Sequence, residues 1–206
     1  MTVREAADHF RRLDEAAAGF PPGASRPAAD ERALCDRVLD CAWEVLAVQG
    51  RFAEAARWYA EVLTAHPELL AGPPTGHRYY ASRAAVLAGC GKGRDAAGLD
   101  KRSGTSFRRQ ALDWLRDELE AQRRLLATES GETRWFILVG VQRWLVDPYF
   151  AGVREPDALG RLPEAERLAW QKLWADVADT LTRAEGTTPP ETGSVSPRRP
   201  KGSEQT

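Results

Sequence analysis

Between residues 39 and 67 the chain sets a glycine, two aromatics, small residues and a proline at positions that admit one local fold. Val45 and Leu46 close one apolar-periodic run, and Gly50 follows it. Phe52, Ala55, Ala56, Tyr59, Val62 and Leu63 then recur at helical spacing, and Pro67 lies just beyond. Apolar residues three and four apart share one helix face. Glycine enters the left-handed cap conformation without a Cβ clash, so Gly50 is expected to end the first helix. The segment is therefore a helix, a tight turn and a return helix. Such a pair cannot bury its apolar face alone and needs a neighbouring element to pack against.

The same periodicity extends along the chain. Val3, Ala6, Phe10, Leu13 and Ala17 predict a helix over 3–18, and Gly19, Pro21, Pro22 and Gly23 open a linker to about residue 30. Asp30 is the expected N-cap of the helix that runs to Gln49. A loop at 71–76 precedes a helix over 77–88, which the cluster Gly89-Cys90-Gly91-Lys92-Gly93 ends. An irregular stretch is expected to residue 105, then a helix capped by Ser106 with Leu112, Leu115, Leu119 and Leu126 on one stripe.

Residues 134–145 fit either a buried strand or a helix with Ile137, Leu138, Val141, Trp144 and Leu145 on one face. No partner strand is evident, so the helix is preferred. Asp147-Pro148 breaks it, and Leu162-Pro163-Glu164 opens a last helix with proline at its first position. Ala165, Ala169, Leu173, Val177 and Leu181 are its expected face, with Trp170 and Trp174 beside it. From Gly186 onward Pro, Thr, Ser and Gly dominate, so 185–206 is expected to be a disordered tail.

Composition narrows the function classes. Hydrophobic residues are 43% and charged residues 29% of the 206, enough for a core. The formal net charge of -1 gives no whole-chain field to recruit nucleic acid or an anionic membrane. Arg108, Arg109, Arg116, Arg123 and Arg124 interleave with Asp113, Asp117, Glu118 and Glu120, which reads as an ion-paired solvated face. No signal-peptide pattern and no apolar run of spanning length is seen, so a cytoplasmic location without membrane association is expected. Trp43, Tyr59, Trp114, Trp144, Trp170 and Trp174 are expected in helix-packing positions, and Trp58 beside Tyr59 is expected half-exposed as a contact point.

Chemistry has few footholds. Cys35, Cys41 and Cys90 lack C-x-x-C spacing and read as small reduced core residues. His9, His66 and His77 lie far apart with no ligand-spaced partner, so neither a metal site nor a cofactor is expected. Asp36, Asp40 and Glu44 share a helix face without a nucleophile beside them. The glycine cluster with Lys92 suggests a phosphate cradle, but it follows a helix, and Gly93 stands where a P-loop needs Ser or Thr. It reads as a helix terminator and turn.

Three stretches carry a resemblance. They are G-R-F-A-E-A-A-R-W-Y-A-E-V-L at 50–63, G-H-R-Y-Y-A-S-R-A-A-V-L-A-G-C-G-K-G-R-D-A at 76–96, and R-R-Q-A-L-D-W-L-R at 108–116, which L-P-E-A-E-R-L-A-W-Q-K-L-W-A-D-V at 162–177 completes. Together, over roughly 30–184, they resemble the tetratricopeptide-bearing C-terminal region of large bacterial serine/threonine protein kinases. The kinase domain itself is absent: no glycine-rich loop with a strand lysine, no H-R-D and no D-F-G occurs. The resemblance implies a fold of all-α class, a tetratricopeptide-like stack of antiparallel helix hairpins over 31–184. It implies a non-catalytic protein–protein interaction module related to kinase signalling. The alternative is a C-terminal or accessory segment of such a kinase.

In hairpins of this type the first helix of each pair lines a concave groove. Taking Gly50 and Gly89 as equivalent turns, the resemblance places Arg37, Asp40, Glu44 and Val48 in that groove, joined by Tyr79, Tyr80 and Arg83. Relatives commonly carry Asn where this chain has Tyr80. The expected partner is another protein or a peptide segment held by Arg37, Tyr79 and Arg83, with no nucleic acid and no membrane.

Overall fold

The computed structural model describes residues 49–65, 67–70 and 76–185. The expected helix at 3–18, the linker after it, nearly all of the helix ending at Gln49, and the tail from 186 lie outside the described residues. Among the described residues every regular element is helical and no strand occurs. The main helices are α1 (Phe52–Ala65), α2 (His77–Gly89), α3 (Lys101–Thr128), α4 (Gly131–Val146) and α7 (Glu164–Glu185). Two single-turn helices, α5 (Ala151–Arg154) and α6 (Pro156–Leu159), follow a 3-10 turn at Pro148–Phe150.

Gly50 has φ +65°, the left-handed stop expected between the first two helices. On α1, Ala55, Ala56, Tyr59 and Leu63 are buried, and Phe52 and Val62 half-buried, as their spacing predicts. Helix α2 is the centre of the molecule. Its small residues Ala81, Ala84, Ala85 and Ala88 are essentially inaccessible, so α1 and α3 approach it closely from two sides. At Gly89 a Cβ would lie 2.8 Å from the Gly104 carbonyl of α3, so a side chain there would push the two helices apart.

The direction of each helix follows from paired residues. Ser82 Oγ donates to the Ala111 carbonyl at 3.2 Å, while Gly89, later in α2, meets Gly104, earlier in α3. Those two helices are antiparallel. Arg94 N–H donates to the Gly50 carbonyl at 2.8 Å, which brings the end of α2 to the start of α1. Along α3 and α7, Arg108 meets Glu166 and Arg123 meets Thr180, so these two run parallel. Glu129 and Ser130 are the whole connection between α3 and α4, and α4 folds back against α3 and α7.

Three details differ from the sequence reading. Helix α3 begins at Lys101 and not after Ser106, because the Asp100 carboxylate accepts the Ser103 N–H at 2.7 Å and caps it. That hydrogen bond also holds the Asp100 carboxyl below the usual range. The buried face of α7 is Trp170, Leu173, Val177, Thr180 and Ala184, whereas Ala165 is exposed. Its first helical residue is Glu164, and the Pro163 carbonyl accepts the Arg167 N–H at 2.9 Å. Segment 134–145 is helical, with Ile137, Val141 and Trp144 turned into the core.

Candidate interaction surface

The groove expected on α2 is occupied by the chain itself. Tyr79 and Arg83 each keep only 8% of their surface exposed. Tyr79 stacks on Trp144 with ring centroids 5.8 Å apart and meets the Phe150 edge at 5.6 Å. Its hydroxyl donates to Asp147 Oδ2. Arg83 Nε lies 3.4 Å from the same carboxylate oxygen, and its guanidinium sits 3.9 Å over the Tyr149 ring. Asp147 Oδ1 accepts the Tyr149 N–H at 2.9 Å and so caps the 3-10 turn. The Pro148–Phe150 turn thus lies against α2 where a bound peptide was expected.

This corrects the reading of Tyr79 and Arg83 as contacts for an outside chain. Tyr80 is half-buried, with the Arg83 guanidinium 5.5 Å from its ring. Arg37, Asp40, Glu44 and Val48 lie outside the described residues. The register also shifts. Helix α2 is closed by Gly91, with φ +71°: Lys92 N–H reaches the Leu87 carbonyl and Gly91 N–H the Ala88 carbonyl, a Schellman cap. Gly91 shares the left-handed φ of Gly50, whereas Gly89 lies inside α2.

Burial, and then the hydrogen bond to Asp147, push the Tyr79 hydroxyl far above its ordinary value of 10.0. A group whose pKa is raised by folding contributes stability that is present below its unfolded pKa and is lost above it. Stability should therefore decline as pH rises past about 10. Tyr79→Phe should decline less steeply, keeping only the loss that the buried Cys90 thiol contributes. Chemical denaturation from about pH 8 to about pH 11 checks it; equal slopes for both proteins would refute it.

The glycine cluster offers no phosphate site. It sits at the C-terminus of α2, where carbonyl oxygens point outward and disfavour anions. Arg108 beside it is taken by Glu166 and by the Gly89 carbonyl. A cleft of about 1070 Å³ opens there, but its charged lining mixes Lys92, Lys101 and Arg161 with Asp100, Glu155 and Asp157. Burial pushes the Cys90 thiol up, so the thiolate that a reactive cysteine needs is disfavoured. Cys90 instead packs on Gly152, where an added Cβ would lie 2.6 Å from its sulfur.

Glu118 is the other perturbed acid. Burial raises its pKa, opposed by a hydrogen bond from Gln122 and by Arg78 at 3.7 Å. It ties α3 to α2 and has no nucleophile beside it. Among the described residues no group of three or more His, Cys, Asp or Glu could hold a metal ion. No helix among them is long and apolar enough to cross a membrane.

A large exposed apolar surface lies instead on α4. Helix α4 is apolar nearly all round, yet only one side is covered. Its outer side exposes Trp135 (58%), Phe136 (65%), Val139 (42%) and Val146 (71%). Trp135 and Phe136 pack edge to face on each other, with centroids 5.0 Å apart. A helix hydrophobic on all sides is normally a buried one, and that was the available signal. Ile137, Val141 and Trp144 satisfy the inward face, which leaves the other aromatics without a place in the core. Trp58 is partly buried, edge to face with Tyr59 at 5.5 Å between ring centroids.

Comparison with protein-family models, with curated proteins and with solved structures returned no match.

Proposed function

We propose that the chain is a non-catalytic protein–protein interaction module built as a tetratricopeptide-like hairpin stack, working in bacterial kinase signalling in the cytoplasm. The single observation that carries the reading is the outer face of α4, with Trp135 and Phe136 more than half exposed. Contiguous exposed aromatics on a helix mark a contact surface, because leaving them in water forgoes their burial energy. The alternation of α1, α2 and α3 supports the hairpin stack, and the strings at 108–116 and 162–177 support the kinase link. The partner is a protein or peptide segment. Mixed charge along α3 speaks against nucleic acid.

A paired Trp135→Ser/Phe136→Ser variant should weaken partner capture at least about tenfold, since exposed aromatics supply most contact energy. Both side chains are exposed, so the circular dichroism and melting curve should stay near wild type. Quantitative affinity capture from lysate of the source cells, wild type beside variant, is the measurement. Unchanged capture would remove α4 from the functional surface.

A further inference from the structure

We infer that the outer face of α4 binds a second copy of the same helix, antiparallel and about a two-fold axis. The inference rests on the proposed interaction reading and names its partner. Glu132, Phe136, Val139, Arg143 and Val146 recur at spacings of four, three, four and three, and all five are exposed. That spacing is the seam by which two helices pack side by side.

The seam is self-complementary in one orientation only. Place a two-fold axis level with the midpoint of Phe136 and Val139. Phe136 of each copy then meets Val139 of the other, and the same axis brings Glu132 of each copy to Arg143 of the other. Two apolar layers form at the centre, and two acid–base pairs close the ends. A parallel pair would instead set Glu132 against Glu132 and Arg143 against Arg143, and like charges in register repel. Neither Glu132 nor Arg143 makes an ion pair among the described residues. A self-matching patch of this kind is what a two-fold interface requires. The net charge of -1 puts no long-range repulsion between copies.

One helix per copy buries less than the roughly 1,000 Å² of a tight complex, so the dimer should be concentration-dependent. Sedimentation velocity of the full chain from about 1 to about 200 µM should show monomer passing to dimer, with a dissociation constant on the order of 10 µM. Arg143→Glu turns both end pairs repulsive and should raise that constant at least about tenfold. Glu132→Arg combined with Arg143→Glu should restore it to within about threefold, because the pairs re-form with signs exchanged. The two residues lie eleven apart in one helix, so restoration cannot come from within a copy.

A wild-type chain that stays monomeric across the series overturns the inference. So does a single variant that dimerises as well as wild type, or a double variant that does not recover. Circular dichroism confirms that each variant is folded. A monomer whose partner capture is still lost with Trp135→Ser/Phe136→Ser overturns the dimer but leaves the interaction reading standing. A monomer with capture unchanged overturns both.

Discussion

Asp147→Ala is expected to lower the unfolding free energy by about 3–5 kcal/mol, because it removes one partner of a buried charged cluster and leaves the others in place. Asp147 is 4% exposed and serves three groups at once. Its carboxylate accepts from the Tyr79 hydroxyl and the Tyr149 N–H, and it faces Arg83 Nε at 3.4 Å. Alanine offers no acceptor to any of them. The ring contacts of Arg83 with Tyr149, Tyr79 and Tyr80 remain and set the lower end of the range. For a chain of this size the loss corresponds to a fall in melting temperature of about 10 °C. Asp147→Asn keeps an acceptor but no charge, and should lose about half as much. Thermal and urea unfolding followed by circular dichroism decide the matter. An alanine variant that melts with wild type would mean that Phe150 alone seats the Pro148–Phe150 turn on α2.

That cluster marks where the sequence stopped being legible. Periodicity found α1, α2 and the inward face of α4, since each helix spends its apolar stripe on a local neighbour. It located the break at Asp147-Pro148, but not that Asp147 would reach back to Tyr79, sixty-eight residues earlier. An aspartate before proline signals a turn, and nothing local says which helix the turn will land on. The groove residues Tyr79 and Arg83 were misplaced for the same reason. The resemblance supplied a groove on α2, and the chain filled it with its own later segment. Helix α3 starts at Lys101 although Ser106 is a good cap by type, because Asp100 is the better one by geometry. The outer face of α4 was the opposite case. Its composition was visible, but exposure is settled by which neighbours are absent, and no pattern within α4 records that.

Gly93→Ala is expected to lower stability by about 3 kcal/mol, the sum of backbone strain and two displaced hydrogen bonds. The stretch after α2 reads as flexible turn, yet it is seated on the start of α1. Arg94 N–H donates to the Gly50 carbonyl at 2.8 Å, and Asp95 Oδ2 accepts the Glu54 N–H of the first turn of α1 at 2.8 Å. Asp95 is thus an N-cap delivered from forty-one residues away, satisfying a donor that α1 cannot satisfy itself. Gly93 makes the seat possible. Its φ is +99°, and a Cβ there would lie 2.6 Å from the Gly50 carbonyl oxygen and 2.7 Å from the Phe52 ring. Backbone on one side and a half-buried aromatic on the other leave no cheap retreat, so the turn must lift and both hydrogen bonds weaken. Two neighbouring glycines separate the causes. Gly91 has φ +71° with open space around it, so Gly91→Ala should cost only the strain, about 1 kcal/mol. Gly98 has open space and no left-handed φ, and Gly98→Ala should lie within about 0.5 kcal/mol of wild type. Urea unfolding of the three variants should therefore rank them Gly93, Gly91, Gly98. If Gly93→Ala proves no worse than Gly91→Ala, the turn does not press against Gly50, and α1 keeps its N-terminus without help from Asp95.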